Sequence, residues 1–77
     1  MPLIDISIAR GRTAEELRAF IDAVHQAAET TVGAAPENIT VILREIEHEH
    51  WSRSNLTIAE RAAAAAAEAQ HTSSLTN

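Results

Sequence analysis

Near its start the chain alternates: Ile4, Ile6 and Ile8 are apolar, while Asp5 and Ser7 between them are polar. A period of two predicts a β-strand with one buried face. Gly11 interrupts it, and the period then changes. Leu17, Phe20, Ile21, Val24, Ala28 and Val32 recur at helical spacing, one apolar stripe along a helix of roughly five turns. Thr13-Ala14-Glu15-Glu16 supplies its start, because the threonine hydroxyl accepts from a first-turn amide while Glu16 reaches back to the cap. Gly33 stands where a left-handed residue closes a helix, and Pro36 prevents its continuation.

The run ITVILREI over residues 39–46 predicts a second strand. Its apolar density points to burial on both faces at its start. Strand, helix and strand make a βαβ unit, with parallel strands and a right-handed crossover. After Trp51 the segment SRSN reads as a loop, and Thr57-Ile58-Ala59-Glu60 as a second capping box. The sequence ERAAAAAAEAQ that follows has high helix propensity and little apolar bulk. The expected fold class is therefore α/β: a small βαβ subunit with a short C-terminal helix. One domain over residues 1–70 and a flexible tail over 71–77 complete the organisation.

Size changes this picture. A chain of 77 residues buries only about 60% of the surface its unfolded form exposes. It has no cysteine, hence no disulfide to compensate. Two strands under one helix do not make a self-sufficient sheet, so a homo-oligomer is expected to supply the rest. The net charge of −5 and the absence of lysine argue against a nucleic-acid partner, which needs clustered cations. The longest apolar run, Ala62 to Ala67, is too short to span a bilayer. No leader segment is read at the N-terminus. The expectation is a cytoplasmic protein with neither nucleic acid nor membrane as partner.

Candidate chemistry starts at Pro2. As a strand-entry residue it needs no function, because its missing N–H falls at a sheet edge. With Met1 removed, however, its nitrogen becomes a secondary amine. An α-amine titrates near ~8, and burial beside a cation lowers that further, giving a base at neutral pH. With Met1 retained, Pro2 is blocked. Arg12 has two readings as well: an ion pair with Glu15 or Glu16, or a planar fork for a substrate carboxylate. Arg10 points to the opposite side and reads as solvent-facing. In Glu47-His48-Glu49-His50, two imidazoles alternate and would share one side of an extended segment. Two fall short of a metal site, so this reads as a strand end and no metal site is assigned.

Pro2 opening strand one, Gly11-Arg12-Thr13 beyond its end, the βαβ order and the aromatic Trp51 together resemble the 4-oxalocrotonate tautomerase family, from Pro2 to about Glu60. The resemblance implies small βαβ subunits that pair into dimers and assemble as hexamers. It implies an isomerase without cofactor, in which the N-terminal proline moves a proton between carbon and oxygen of a small carboxylate-bearing enol, keto acid or 2-hydroxydienoate. By the same resemblance Pro2 is the base, Arg12 binds a carboxylate or keto oxygen, and Trp51 is an apolar wall.

Two departures stand out. The best-studied members carry a second arginine where this chain has Thr40; Arg53 is the preferred stand-in, with Arg44 behind it, about 13 Å further along the strand at ~3.3 Å per residue. Ser54-Asn55 also stands near the place of a family Gly-Gly pair. A proline-based dehalogenase or hydratase, and a non-catalytic oligomeric module of the same fold, remain alternatives.

Overall fold

The computed structural model describes residues 1–75, with side chains described through residue 69. The tail expected over 71–77 thus lies outside the residues whose side chains are described. The chain divides into two compact units, Met1–Glu45 and Ile46–Asn77.

In the first unit, strand β1 covers Leu3–Ala9 and helix α1 covers Ala14–Val32. A short 3-10 turn at Pro36–Asn38 leads into strand β2 at Thr40–Ile46. The two strands form one sheet. The Thr40 N–H donates to the Pro2 carbonyl at 3.0 Å, Asp5 pairs with Arg44, and Arg10 pairs with Glu45 at 3.5 Å. Residue numbers rise together on both strands, so they run parallel. The expected βαβ unit is present. Arg10 is exposed as read, but it also carries this ion pair.

The capping box at Thr13 forms as its sequence predicts. Glu16 N–H donates to Thr13 Oγ1 at 3.1 Å, and Thr13 N–H donates to Glu16 Oε1 at 2.9 Å. At the other end Gly33 adopts φ 66° and ψ 27°, a left-handed conformation that glycine reaches without strain.

Alternation along both strands matches the one-sided pattern. Ile4, Ile6 and Ile8 on β1, and Val41, Leu43 and Glu45 on β2, are half-buried, while Leu3, Asp5, Ser7, Thr40, Ile42 and Arg44 are exposed. Ile8 lines one hollow together with Leu17 and Phe20 of α1, which puts the half-buried face on the helix side. Burial on both faces at the start of β2 does not occur: Ile39 is buried, but Thr40 and Ile42 are exposed. A single helix covers only one side of a two-stranded sheet. Ala28 and Ile39 are the only buried apolar residues among those described, and Leu3 remains 63% exposed.

The second unit starts with a 3-10 turn at His48–His50. This corrects the reading of that segment as an extended strand end, and the alternation argument for its imidazoles lapses with it. Strands β3, Ser52–Arg53, and β4, Leu56–Thr57, then pair antiparallel, with Ser52 opposite Thr57 and Arg53 opposite Leu56. The segment read as a loop is therefore half of a tight hairpin. Its turn residues Ser54 and Asn55 have φ of 54° and 59°, the two successive left-handed residues of a type I′ turn. Helix α2 follows over Ile58–Leu75. Its capping box is complete, with Glu60 N–H on Thr57 Oγ1 at 3.0 Å and Thr57 N–H on Glu60 Oε1 at 2.9 Å. Among the described residues no helix is long and apolar enough to cross a membrane.

Candidate active site

Pro2 sits at the head of β1, half-buried. Its carbonyl accepts from Thr40 N–H at 3.0 Å, so the start of β2 fixes the backbone of the N-terminal segment. The strand pairing that buries Ile4, Ile6 and Ile8 is thus also what holds Pro2 in place.

Arg12 lies beyond the other end of the same strand. The seven residues of β1 rise ~3.3 Å each, so the strand separates Pro2 from Arg12 by about 23 Å. The two do not meet within one chain. Arg12 is exposed, and its Nη1 donates to the Ala9 carbonyl at 3.0 Å, which ties the guanidinium to the end of β1. Beside it lies a hollow of about 210 Å³ lined by Ile8, Arg12, Glu16, Leu17 and Phe20. Three apolar side chains, one guanidinium and one carboxylate thus line that hollow.

Sequence reasoning placed Phe20 in the helical stripe and read Glu16 as a cap residue or an ion-pair partner of Arg12. The structure shows both lining Arg12's hollow, with Phe20 40% exposed. A signal was present: Glu16 and Phe20 are four residues apart, and so share one side of α1. The Glu16 carboxyl is held below the usual glutamate range, first by the amide and hydroxyl of Thr13 and then by the nearby charge of Arg12. An ionised carboxylate therefore lines the hollow.

Arg44 is engaged elsewhere. It donates to Asp5 across the exposed sheet face, which lowers the Asp5 pKa and raises that of Arg44. Thr40, where an arginine was looked for, is exposed at the first position of β2.

Trp51 and Arg53 belong to the second unit. Trp51 is half-buried at the mouth of the hairpin, where its carbonyl accepts from Ile58 N–H at 2.8 Å. Arg53 has an exposed side chain on β3, and its carbonyl accepts from Arg61 Nη2 at 3.0 Å. Arg61 thereby joins α2 to the hairpin, while its own Nε is buried without a hydrogen-bond partner. Among the described residues no three His, Asp or Glu side chains gather in a metal-binding group.

Residues 2–61 match the protein family described as "Tautomerase enzyme". A protein of Ralstonia nicotianae described as a "probable tautomerase" is 43% identical over 51 residues, 66% of this chain and 73% of that protein. Among solved structures, a 4-oxalocrotonate tautomerase isozyme from Methylibium petroleiphilum superposes with a TM-score of 0.79 at 32% identity, covering 82% of this chain and 98% of its own. A heterohexameric 4-oxalocrotonate tautomerase from Chloroflexus aurantiacus gives a TM-score of 0.74 at 25% identity, covering 78% and 97%.

Proposed function

The chain belongs to the tautomerase family, and from that premise we propose that it interconverts the enol and keto forms of a small carboxylate-bearing acid, with the amine of Pro2 as the base. The observation that carries this reading is the anchored position of Pro2: half-buried, with its carbonyl held by Thr40 at 3.0 Å. Removal of Met1 converts an amide nitrogen, which has no basic lone pair, into a secondary amine on a fixed backbone.

The reaction balances on that one nitrogen. The amine takes the proton of the enol hydroxyl, leaving an enolate. The resulting ammonium then returns the proton to carbon, and the C=O bond forms as the C=C bond is lost. Arg12 pairs with the substrate carboxylate, Trp51 offers an apolar surface, and Arg53 supplies a cation for the developing charge on oxygen where relatives use an arginine at Thr40. In this reading the Pro2 amine and the three side chains carry every step, and no cofactor is invoked.

The separation of Pro2 and Arg12 along β1 requires that one substrate meet Pro2 of one copy and Arg12 of another. This reading therefore takes an oligomer as the active form. Uncovered Leu3 and Ile42 on the open sheet face support the same conclusion, since such faces are normally covered. A hexamer built from dimers is the assembly we favour; the relative from Chloroflexus is a heterohexamer. The test is a spectrophotometric assay of Met1-processed protein on 2-hydroxymuconate and phenylenolpyruvate. Absence of ketonisation on both, in a correctly folded and processed sample, refutes the reading.

A further inference from the structure

The hollow beside Arg12 has a lopsided chemistry. It is lined by one cation, Arg12, one carboxylate, Glu16, and three apolar side chains, Ile8, Leu17 and Phe20. The Glu16 carboxylate accepts one hydrogen bond, from Thr13 N–H at 2.9 Å, so moving it away breaks that half of the capping box. Thr40 provides no charge. At about 210 Å³ the hollow is smaller than the ~300–1,000 Å³ of pockets for drug-sized ligands. It fits a small acid.

From this we propose that the hollow selects an acid with a single carboxylate and an apolar tail of aromatic size, and that Glu16 disfavours a second carboxylate on that tail. The inference rests on the functional reading above for the role of Arg12 and deepens it by naming the substrate class. A single carboxylate pairs with the guanidinium in charge-assisted geometry. The tail then lies against Phe20, Leu17 and Ile8, where apolar surface leaves water. With Arg12 already paired, a second carboxylate meets apolar side chains, where an unpaired charge is costly, and the like charge of Glu16 in the same lining. Discrimination thus comes from a repulsive element as well as an attractive one.

Binding of two unreactive probes to the full chain, measured by calorimetry, separates this proposal from the catalytic one. Cinnamate carries one carboxylate and a phenyl tail; trans,trans-muconate carries a carboxylate at each end. Cinnamate is expected to bind at least about tenfold tighter. Glu16→Gln removes the charge yet keeps a side chain that serves in a capping box, so muconate should strengthen and the preference shrink to about threefold or less. Phe20→Ala should weaken cinnamate about tenfold and leave muconate nearly unchanged. Equal or tighter binding of muconate by the natural chain overturns the proposal, as does an unchanged ratio in Glu16→Gln, or failure to bind either acid. Ketonisation without this preference leaves the tautomerase reading standing and removes this inference. The preference without ketonisation does the reverse.

Discussion

The backbone amide of Thr40 donates to the carbonyl of Pro2 at 3.0 Å, so the first residue of β2 fixes the N-terminal end of β1. Only its backbone is used; the side chain is exposed. Thr40→Arg therefore keeps the anchor and adds a cation where the resemblance to 4-oxalocrotonate tautomerases calls for one. A hydrogen bond to a charged group contributes about 1.5–3 kcal/mol, so kcat/KM on 2-hydroxymuconate should rise roughly tenfold or more. An unchanged rate, with the fold intact by circular dichroism, would mean that this position does not face the substrate.

The open sheet face gives a prediction about assembly. Leu3 and Ile42 are exposed on the same side of β1 and β2 as the Asp5–Arg44 pair. If copies of the chain cover that face, Ile42→Asp places a charge in the interface and should dissociate the assembly at micromolar concentration, since an unpaired buried charge is strongly destabilising. Sedimentation velocity measures this. A variant that keeps its natural oligomeric state shows that the face is not part of the contact.

Local rules made much of the fold legible. Ile4, Ile6 and Ile8 announced β1, and Thr13 with Glu16, Gly33, and Thr57 with Glu60 marked helix ends, because each works through neighbours in sequence. The hairpin at Ser52–Thr57 was missed for a physical reason: its turn uses Ser54 and Asn55 at positive φ, without the glycine that usually signals such a turn. The 3-10 turn at His48–His50 likewise lacks a breaker residue. Pairings such as Asp5–Arg44 depend on the register between two strands, which no single segment encodes. The hollow was hidden because Phe20 fits a core stripe equally well.

The same turn predicts a gain in stability. An L-residue in the left-handed region costs about 1–2 kcal/mol, less for asparagine, whose side chain eases it. Replacing Ser54 with asparagine and Asn55 with glycine gives the preferred type I′ pair. Thermal unfolding should shift upward by a few degrees, corresponding to roughly 0.5–1 kcal/mol after the entropy of the new glycine is deducted. A lower melting temperature would mean that Ser54 or Asn55 makes a contact beyond the turn.

Acid should loosen the start of α1 first. The Glu16 pKa is lowered by its bonds with Thr13, so the folded state binds the proton less readily than the unfolded state. Its contribution is fully present above the ordinary glutamate value of about 4.3 and is lost as pH falls through the lower folded value. The lowered Asp5 pKa, set by Arg44, acts in the same direction. Stability of the natural chain should therefore fall below about pH 4, and Glu16→Gln should make that slope shallower. Thr13→Ala should cost about 1 kcal/mol at neutral pH, as loss of a helix cap usually does. Chemical denaturation at pH 3 to 7 reads both effects.

The N-terminus supplies the decisive prediction. Pro2 is held at the head of β1 through its carbonyl, and nothing about that bond depends on Met1. Processed and unprocessed chains should accordingly fold alike, with the same circular dichroism and melting temperature. They differ at one atom. With Met1 attached, the Pro2 nitrogen is an amide and cannot accept the enol proton; with Met1 removed, it is a secondary amine whose ring limits rotation and keeps the lone pair aimed. Activity of a preparation with Met1 retained should fall by at least 10³-fold, in the upper part of the range that general acid–base catalysis contributes. Pro2→Ala in processed protein should keep part of the rate, because an amine survives there, though with altered basicity and looser positioning. Intact mass spectrometry beside the ketonisation assay ties each rate to a defined N-terminus. Full activity in a sample whose mass retains Met1 would remove Pro2 from the mechanism.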